Sequence, residues 1–115
     1  RINLTFKYIL SKYIQMPTSI FDEIDTGVSG EIARKVGSVM KNMANNQQLI
    51  VITHLPQIAS MGHHHKHVHK TDKNNLIETQ VRDLDGNERI HEIAKMISGD
   101  NLTKHAIEQS KMLLN

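Results

Sequence analysis

Residues 18–30 read T-S-I-F-D-E-I-D-T-G-V-S-G, and this stretch decides the fold. Ile20 and Phe21 are apolar enough to lie inside a parallel sheet, and Asp22 and Glu23 follow where such a strand would leave the core. In open α/β sheets, ligands bind beyond the carboxyl ends of the strands. An Asp-Glu pair there could hold a hydrated Mg²⁺ with one carboxylate and orient a water molecule with the other. By itself, such a pair is more often only a solvated strand end.

A helix and a second strand are predicted after this stretch. Ser29 can cap the helix, and residues 49–52 (L-I-V-I) are wholly apolar, as in a buried parallel strand. Strand, helix and strand predict a parallel βαβ unit with a right-handed crossover, which places Asp22 and His54 at the same edge of the sheet. Taken alone, His54 is more simply a histidine that hydrogen-bonds the backbone at a strand end. The apolar stripe of the helix consists of Ile32, Val36, Val39, Met40 and Met43.

Two further helices are predicted around this unit. Apolar residues at helical spacing predict a helix over about residues 2–15 that stops before Pro17, and its apolar face should cover the sheet. Its apolar positions are Ile2, Phe6, Ile9, Leu10 and Tyr13. A short helix is expected to start at Leu55-Pro56, because proline is well suited to a first helical turn.

A histidine-rich hairpin is predicted in the second half of the chain. Residues 63–70 read H-H-H-K-H-V-H-K and are followed by a D-K-N-N turn. In the L-I-E-T-Q-V-R segment after it, the positions of Ile77, Thr79 and Val81 alternate with those of Glu78, Gln80 and Arg82. In a strand, His65, His67 and His69 project on one face, which is acceptable geometry for a zinc site. The alternative is an exposed face of an edge hairpin, where charge discourages further strand pairing. A metal-binding or docking module built on this hairpin is therefore an alternative function.

The chain is predicted to close with two helices. The first follows the turn at Asp85-Gly86 and ends at Gly99, and the last starts at Thr103. No repeat or low-complexity linker is present. Residues 1–115 are therefore expected to form a single α/β domain, with a parallel βαβ core followed by a β-hairpin and two carboxyl-terminal helices.

Composition narrows the possible classes of function. The chain has 115 residues, a formal charge of +2, 3% aromatic residues and no cysteine. Such a mild charge does not indicate a nucleic-acid surface, few aromatics disfavour base stacking, and the lack of cysteine removes disulfides and thiolate metal sites. No apolar run approaches the roughly 20 residues of a membrane helix. Because the chain starts with Arg1 in the middle of a helical pattern, we expect it to be a piece of a longer polypeptide.

Three segments resemble the nucleotide-site motifs of ABC-type ATPases. I-F-D-E at 20–23 is similar to Walker B, I-D-T-G-V-S-G at 24–30 to the D-loop, and V-I-T-H at 51–54 to the switch-histidine segment. Transporter ATPases usually carry a D-loop of the S-A-L-D kind. Here D-E-I-D-T-G-V-S-G, followed by T-H-L-P-Q-I-A and later by E-I-A-K-M-I-S-G-D, resembles the bacterial RecN family of DNA repair proteins, relatives of the SMC proteins.

The resemblance implies a role for each matching residue. Asp22 would hold Mg²⁺ through its water shell, Glu23 would polarise the water that attacks ATP, and His54 would sense the γ-phosphate. Asp25 would face a second head across a nucleotide-bound dimer, and the D-loop residues Ser29 and Gly30 would join it among the nucleotide-contacting residues. The implied fold is the carboxyl-terminal lobe of an ABC/SMC-type head of the P-loop NTPase class.

The chain departs from the family pattern in one respect. No glycine is followed by lysine, so the G-x-x-x-x-G-K-[ST] phosphate cradle is absent from this sequence. In the family, the cradle lies in an amino-terminal lobe, and a coiled coil separates it from the segment found here. The resemblance therefore implies partners in that lobe, in a second head and in DNA, none in a membrane, and a bacterial cytoplasmic, nucleoid-associated location.

Overall fold

The computed structural model describes residues 2–14, 16–23, 26–73 and 76–115. They form two compact units, Arg1–Met61 and Gly62–Asn115. The prediction of a single domain stays a prediction. In chain order the elements are α1 (Ile2–Tyr13), β1 (Thr18–Asp22), α2 (Gly30–Met43), β2 (Gln48–Ile52), α3 (Pro56–Ala59), β3 (Lys66–Lys73), β4 (Leu76–Asp83), α4 (Gly86–Ser98) and α5 (Lys104–Leu114).

The first unit contains the predicted βαβ arrangement. β1 and β2 are parallel neighbours, with a register that runs from Thr18 opposite Gln48 to Asp22 opposite Ile52. The helix α2 connects them. Because paired residues of a parallel ladder share a face, Phe21 and Val51 lie on one side of this sheet, and Ile20 lies on the other.

One face of this sheet packs against α2 and forms the core. Phe21 is only 2% exposed, and Met40 and Met43 are buried with it. The predicted stripe was wrong at Ile32, which is 49% exposed, because the neighbouring Ala33 is the residue of this turn that is buried in the core. The buried residues of α2 are Ala33, Gly37, Met40 and Met43.

Gly37 marks the closest approach between α2 and the segment that includes α3. A Cβ atom at Gly37 would lie 2.7 Å from the sulfur of Met61 and 3.5 Å from the carbonyl oxygen of Gln57. A side chain here would therefore displace Met61. The small residue is required by the packing of two helical segments rather than by a turn.

The other face of the sheet is exposed within the described chain. Ile20 is 56% exposed, Ile50 45% and Ile52 54%. The prediction that Ile20 lies inside a sheet and that residues 49–52 form a buried strand was therefore wrong at these isoleucines, because in the described residues only one face of this two-stranded sheet is covered by a helix. An apolar run predicts a buried strand only when both faces have a partner.

The helix α1 lies along this unit with a different face from the predicted one. Leu4 and Tyr8 pack against the core, whereas Phe6 and Ile9 are exposed. Lys7 also lies on the side of α1 that meets the sheet, since its ammonium group lies 4.7 Å from the centre of the Phe21 ring and donates a hydrogen bond of 3.0 Å to the Ile20 carbonyl oxygen. Both the methylene groups and the ammonium group of Lys7 therefore stabilise its position beside the core.

The second unit is a hairpin followed by two helices. β3 and β4 pair antiparallel from Lys66 opposite Asp83 to Lys73 opposite Leu76, as predicted, and residues 74–75 of the predicted turn lie outside the described residues. The core of this unit includes Ile93 of α4 and Ala106 of α5.

The two carboxyl-terminal helices, α4 and α5, both begin at residues whose side chains form capping hydrogen bonds. Asp85 accepts a hydrogen bond from the Glu88 amide, while the Glu88 carboxylate accepts one from the Asp85 amide, which completes a capping box. Gly99 ends α4 with a φ of 73°, and Thr103 caps α5 by accepting a hydrogen bond from the Ala106 amide. The predicted helix boundaries are confirmed.

Among the described residues, no helix has the length and apolar character needed to cross a membrane.

Candidate functional site

The edge of the parallel sheet carries the predicted site residues. Asp22 is the last residue of β1, its register partner Ile52 is the last residue of β2, and His54 follows two residues later. Neighbouring strands lie about 4.8 Å apart, so both strand ends open on one edge. Asp22, Glu23 and His54 are all exposed there. The structure therefore brings the two carboxylates and the imidazole to the same edge, open to a ligand.

The backbone of Glu23 adopts a left-handed conformation. Its φ of 49° is the single positive value for a non-glycine residue among those that the structure describes. Such a conformation costs on the order of 1–3 kcal/mol in a residue with a Cβ atom and persists where surrounding contacts hold it. Here the Thr26 hydroxyl donates a hydrogen bond of 2.9 Å to the Glu23 carbonyl oxygen. The Glu23 side chain thus leaves the strand end in a direction that an ordinary extended residue would not give.

The backbone on the other side of the site is held at Thr53 and Pro56. The amide of Leu55 donates a hydrogen bond of 3.0 Å to the Thr53 hydroxyl, and Pro56 begins α3 immediately afterwards. These residues flank His54 on both sides. The predicted short helix is confirmed, although it is only four residues long.

The segment between Glu23 and α2 contains the predicted nucleotide-contacting residues. Gly27 has a φ of 71° and Gly30 one of 55°, which glycine adopts without strain. Ser29 stands at the predicted cap position in extended conformation, but in the described part of the chain its side chain makes no capping hydrogen bond. Asp25 lies outside the described residues, so its predicted role stays a prediction.

The histidine face of the hairpin is half-buried, and the expectation of an exposed face was wrong. His65, His67 and His69 share this face, the rings of His67 and His69 stack with centroids 5.3 Å apart, and His67 Nε2 lies 3.5 Å from Glu92 Oε1 on α4. The opposite face is exposed although it carries apolar residues, among them Val68.

The surroundings of His65 on this face favour its neutral imidazole. Burial lowers the pKa of His65 below its usual value, and the nearby Arg89 guanidinium lowers it further, while Glu92 acts in the opposite direction. No group of three or more histidine or acidic side chains within the described ranges is arranged to hold a metal ion. The zinc site that the histidine spacing allowed is therefore not formed by the described side chains.

Comparison with known proteins shows the family. No protein-family model matches the chain. It is 37% identical over 114 residues to the DNA repair protein RecN of Vibrio cholerae, and 41% identical over 115 residues to that of Rickettsia conorii. The chain is a RecN homologue. The matches cover 99% and 100% of this chain but 21% of each relative, so the chain spans about one fifth of the length of the RecN proteins it matches.

A solved structure shows the same fold. A chain from work on the structural biochemistry of ATP-driven dimerization and DNA stimulated activation of SMC ATPases matches with a TM-score of 0.65 at 18% identity. The match covers 86% of this chain and 59% of the solved chain. The predicted RecN resemblance and the predicted α/β fold of an SMC-type ATPase head are confirmed. The roles assigned to individual residues stay predictions.

The structure adds one residue that the sequence interpretation missed. Thr26 contacts the backbone of Glu23, and nothing in the RecN resemblance singled it out. A signal was present, since a threonine followed by Gly27 is a common turn pair and a threonine hydroxyl often bonds a backbone group nearby. Recognising it would have required knowing that Glu23 departs from extended geometry.

Proposed function

We propose that this chain is the carboxyl-terminal lobe of a RecN-type ATPase head that works in DNA double-strand break repair. The observation that carries the proposal is the register of β1 and β2, which ends both strands together and brings His54 to the edge where Asp22 and Glu23 lie. Homology to RecN supports the family, and the fold of an SMC ATPase supports the class of reaction.

The residues at this edge fit a bound Mg²⁺ and ATP. Magnesium prefers oxygen ligands and keeps most of its water molecules, and an exposed carboxylate at a strand end, such as that of Asp22, suits both needs. When bound, Mg²⁺ neutralises charge on the phosphates. Phosphoryl transfer demands mainly positioning and charge stabilisation, so a few polar groups on a rigid edge are sufficient.

Each side chain has one task in this proposal. Asp22 accepts hydrogen bonds from water molecules of the hydrated ion. Glu23 orients the attacking water and takes up its proton, and His54 donates a hydrogen bond to the terminal phosphate. Asp25, Ser29 and Gly30 lie in the segment that meets the nucleotide of a second head. The left-handed backbone of Glu23 takes its side chain out of the strand alternation that Asp22 follows, and in this proposal the two carboxylates serve different roles.

Binding of ATP needs groups that this sequence does not contain. Because the chain carries no G-x-x-x-x-G-K-[ST] motif, an amino-terminal lobe of the same protein supplies the phosphate cradle, and a coiled coil connects the two lobes. ATP then closes two heads against each other, and the full-length protein acts on DNA in the bacterial cytoplasm.

Two substitutions at the strand end test the proposal. In the full-length protein, Glu23→Gln keeps the shape of the side chain but cannot accept a proton, so ATP should bind while turnover falls about 10²- to 10⁴-fold. Asp22→Asn should instead weaken the affinity for Mg²⁺-ATP, because the lost charge acts in the ground state as well as in the transition state. Turnover and nucleotide affinity are measured for both variants.

Glu31→Gln is the matched control, because Glu31 is an exposed glutamate of α2 whose partner is Lys35 at 3.0 Å. It should leave both quantities unchanged. Hydrolysis at the wild-type rate by Glu23→Gln, or an equal loss of affinity in Glu23→Gln and Asp22→Asn, would show that the assignment of Glu23 to water and Asp22 to metal is wrong.

A further inference from the structure

The direction of the Glu23 side chain depends on a backbone conformation that glutamate rarely adopts. At a φ of 49° the residue lies in the left-handed region, whereas the preceding strand residues are extended. A residue in this region rotates its Cα–Cβ bond away from the alternation of the strand. Whatever holds this conformation therefore also sets where the Glu23 carboxylate can reach.

Thr26 supplies the contacts that hold it. Its hydroxyl donates a hydrogen bond of 2.9 Å to the Glu23 carbonyl oxygen, and its amide approaches the same oxygen at 3.5 Å. The hydroxyl contact is the shorter one and has normal hydrogen-bond length. Two donors from one residue thus converge on a single carbonyl, which fixes the peptide plane that follows Glu23.

The residue after Thr26 turns the chain toward the next helix. Gly27 has a φ of 71°, and the backbone continues from there to α2. A Cβ atom at Gly27 would meet no other atom, so glycine is required there for its conformation and not for space.

We propose that Thr26 is a positioning residue for Glu23, and that its hydroxyl orients the carboxylate that activates water. This inference rests on the proposed ATPase function. Loss of the hydroxyl leaves Asp22 and the nucleotide contacts in place but allows Glu23 to relax toward extended geometry. The expected effect is therefore on turnover and not on nucleotide affinity.

The test uses three variants of Thr26 in the full-length protein. Thr26→Val keeps the shape and removes the donor, so the turnover number should fall about 3- to 10-fold, which corresponds to one ordinary hydrogen bond. KM for Mg²⁺-ATP should stay within about twofold. Thr26→Ser restores a hydroxyl and should recover most of the rate, while Thr26→Ala should resemble Thr26→Val.

A double variant separates positioning from general structural damage. If Thr26 acts through Glu23, adding Thr26→Val to Glu23→Gln should cause no further loss of turnover, because the group being positioned is already inactive. Thr71→Val is the matched control, since Thr71 also donates to a backbone carbonyl oxygen, that of Glu78 at 3.4 Å, but lies on the hairpin. The control should retain wild-type turnover.

The outcomes distinguish this inference from the proposed function. If Glu23→Gln abolishes hydrolysis while Thr26→Val turns over at the wild-type rate, the positioning role is wrong and the ATPase assignment stands. A serine variant as slow as the valine variant, or a further loss in the double variant, also overturns the positioning role. If Glu23→Gln remains fully active, the proposed function fails before Thr26 is considered.

Discussion

At the scale of single residues, the surroundings of the His65 imidazole change its pKa. It is half-buried, its pKa lies below the ordinary value of 6.5, and burial is the largest cause. The charged groups that face it are Arg89 and Glu92 of α4 and the neighbouring ring of His67. Arg89 also donates a hydrogen bond to the Gly62 carbonyl oxygen, which keeps its charge close to the hairpin.

We predict that the stability of the second unit falls as the pH drops below about 6.5. A lowered pKa in the folded state means that the unfolded chain takes up the proton first, so stability is full above 6.5 and is lost as the pH falls through the folded value. Thermal unfolding of His65→Gln and of the wild-type chain between pH 8 and pH 5 measures this. The variant should lose less stability over that interval.

His105→Gln is the control, because His105 is an exposed histidine on α5. It should follow the wild-type curve. The lowered pKa values of Asp83 and Glu88 act below 3.8 and 4.5, so they do not contribute in this interval. A His65→Gln chain that loses as much stability as the wild type would contradict the prediction.

The sequence predicted the location of the site residues but not their conformations. The sequence predicts Asp22 and His54 at one edge because the carboxyl ends of two parallel neighbouring strands lie at the same edge of a sheet, and the register of β1 and β2 agrees with this. The left-handed backbone of Glu23 and its contact with Thr26 depend on a turn whose geometry no periodicity encodes. The spacing of residues along the sequence is sufficient to predict the strand topology, whereas local hydrogen bonds set the direction of a side chain such as that of Glu23.

At the scale of elements, the hairpin has an unusual distribution of side chains. The histidine face is half-buried, and the face with Val68, Ile77 and Val81 is exposed in the second unit. A pattern of alternation identified the two strands correctly but not which face would be covered. The covering helix α4 decides this by placing Glu92 beside His67.

We predict that the hairpin is not a structural metal site. The rings of His67 and His69 are stacked with an angle of 10° between them, and stacked rings do not converge on a common point as metal ligands must. The melting temperature with equimolar Zn²⁺ should therefore exceed that with EDTA by no more than about 2 °C, because weak binding adds little stability.

The exposed pair His63 and His64 provides the control for this measurement, since glutamine at both positions removes histidines outside the stacked face. A zinc-dependent rise of many degrees that survives in this control, and is abolished by glutamine at His65, His67 and His69, would overturn the prediction. That result would favour the alternative of a metal-binding module.

Element boundaries were predicted well because the end signals are local. Proline, glycine and the capping residues act on the backbone within one turn, as at Thr103 and Gly99. Buried faces were predicted less well, as Ile20 and Ile32 show, because burial depends on what the rest of the protein places against each element.

At the scale of the whole molecule, the chain carries one side of the proposed nucleotide site, and its described residues leave apolar surface exposed. The uncovered sheet face includes Ile20, Ile50 and Ile52. This agrees with a chain that spans about one fifth of the length of its relatives.

We predict that the isolated chain binds Mg²⁺-ATP with a dissociation constant weaker than about 1 mM, which is about 4 kcal/mol of binding free energy. Asp22 can approach a hydrated ion, but the sequence has no lysine and glycine cradle for the phosphates. Titration calorimetry of the wild-type chain and of Asp22→Asn should give equally small heats. Micromolar binding that depends on Asp22 would contradict the proposal that an amino-terminal lobe supplies the phosphate cradle.

The two sheets also differ in the sequence separation between their paired strands. β3 and β4 meet across residues 74–75, whereas β1 and β2 pair residues 30 positions apart, as Thr18 and Gln48 do. Closing the longer loop costs more chain entropy before any contact is gained, and non-local pairings form slowly. During folding the hairpin can therefore form early from local contacts. We expect the edge that carries Asp22 and His54 to be assembled later, once α2 has ordered and brought the two strands together.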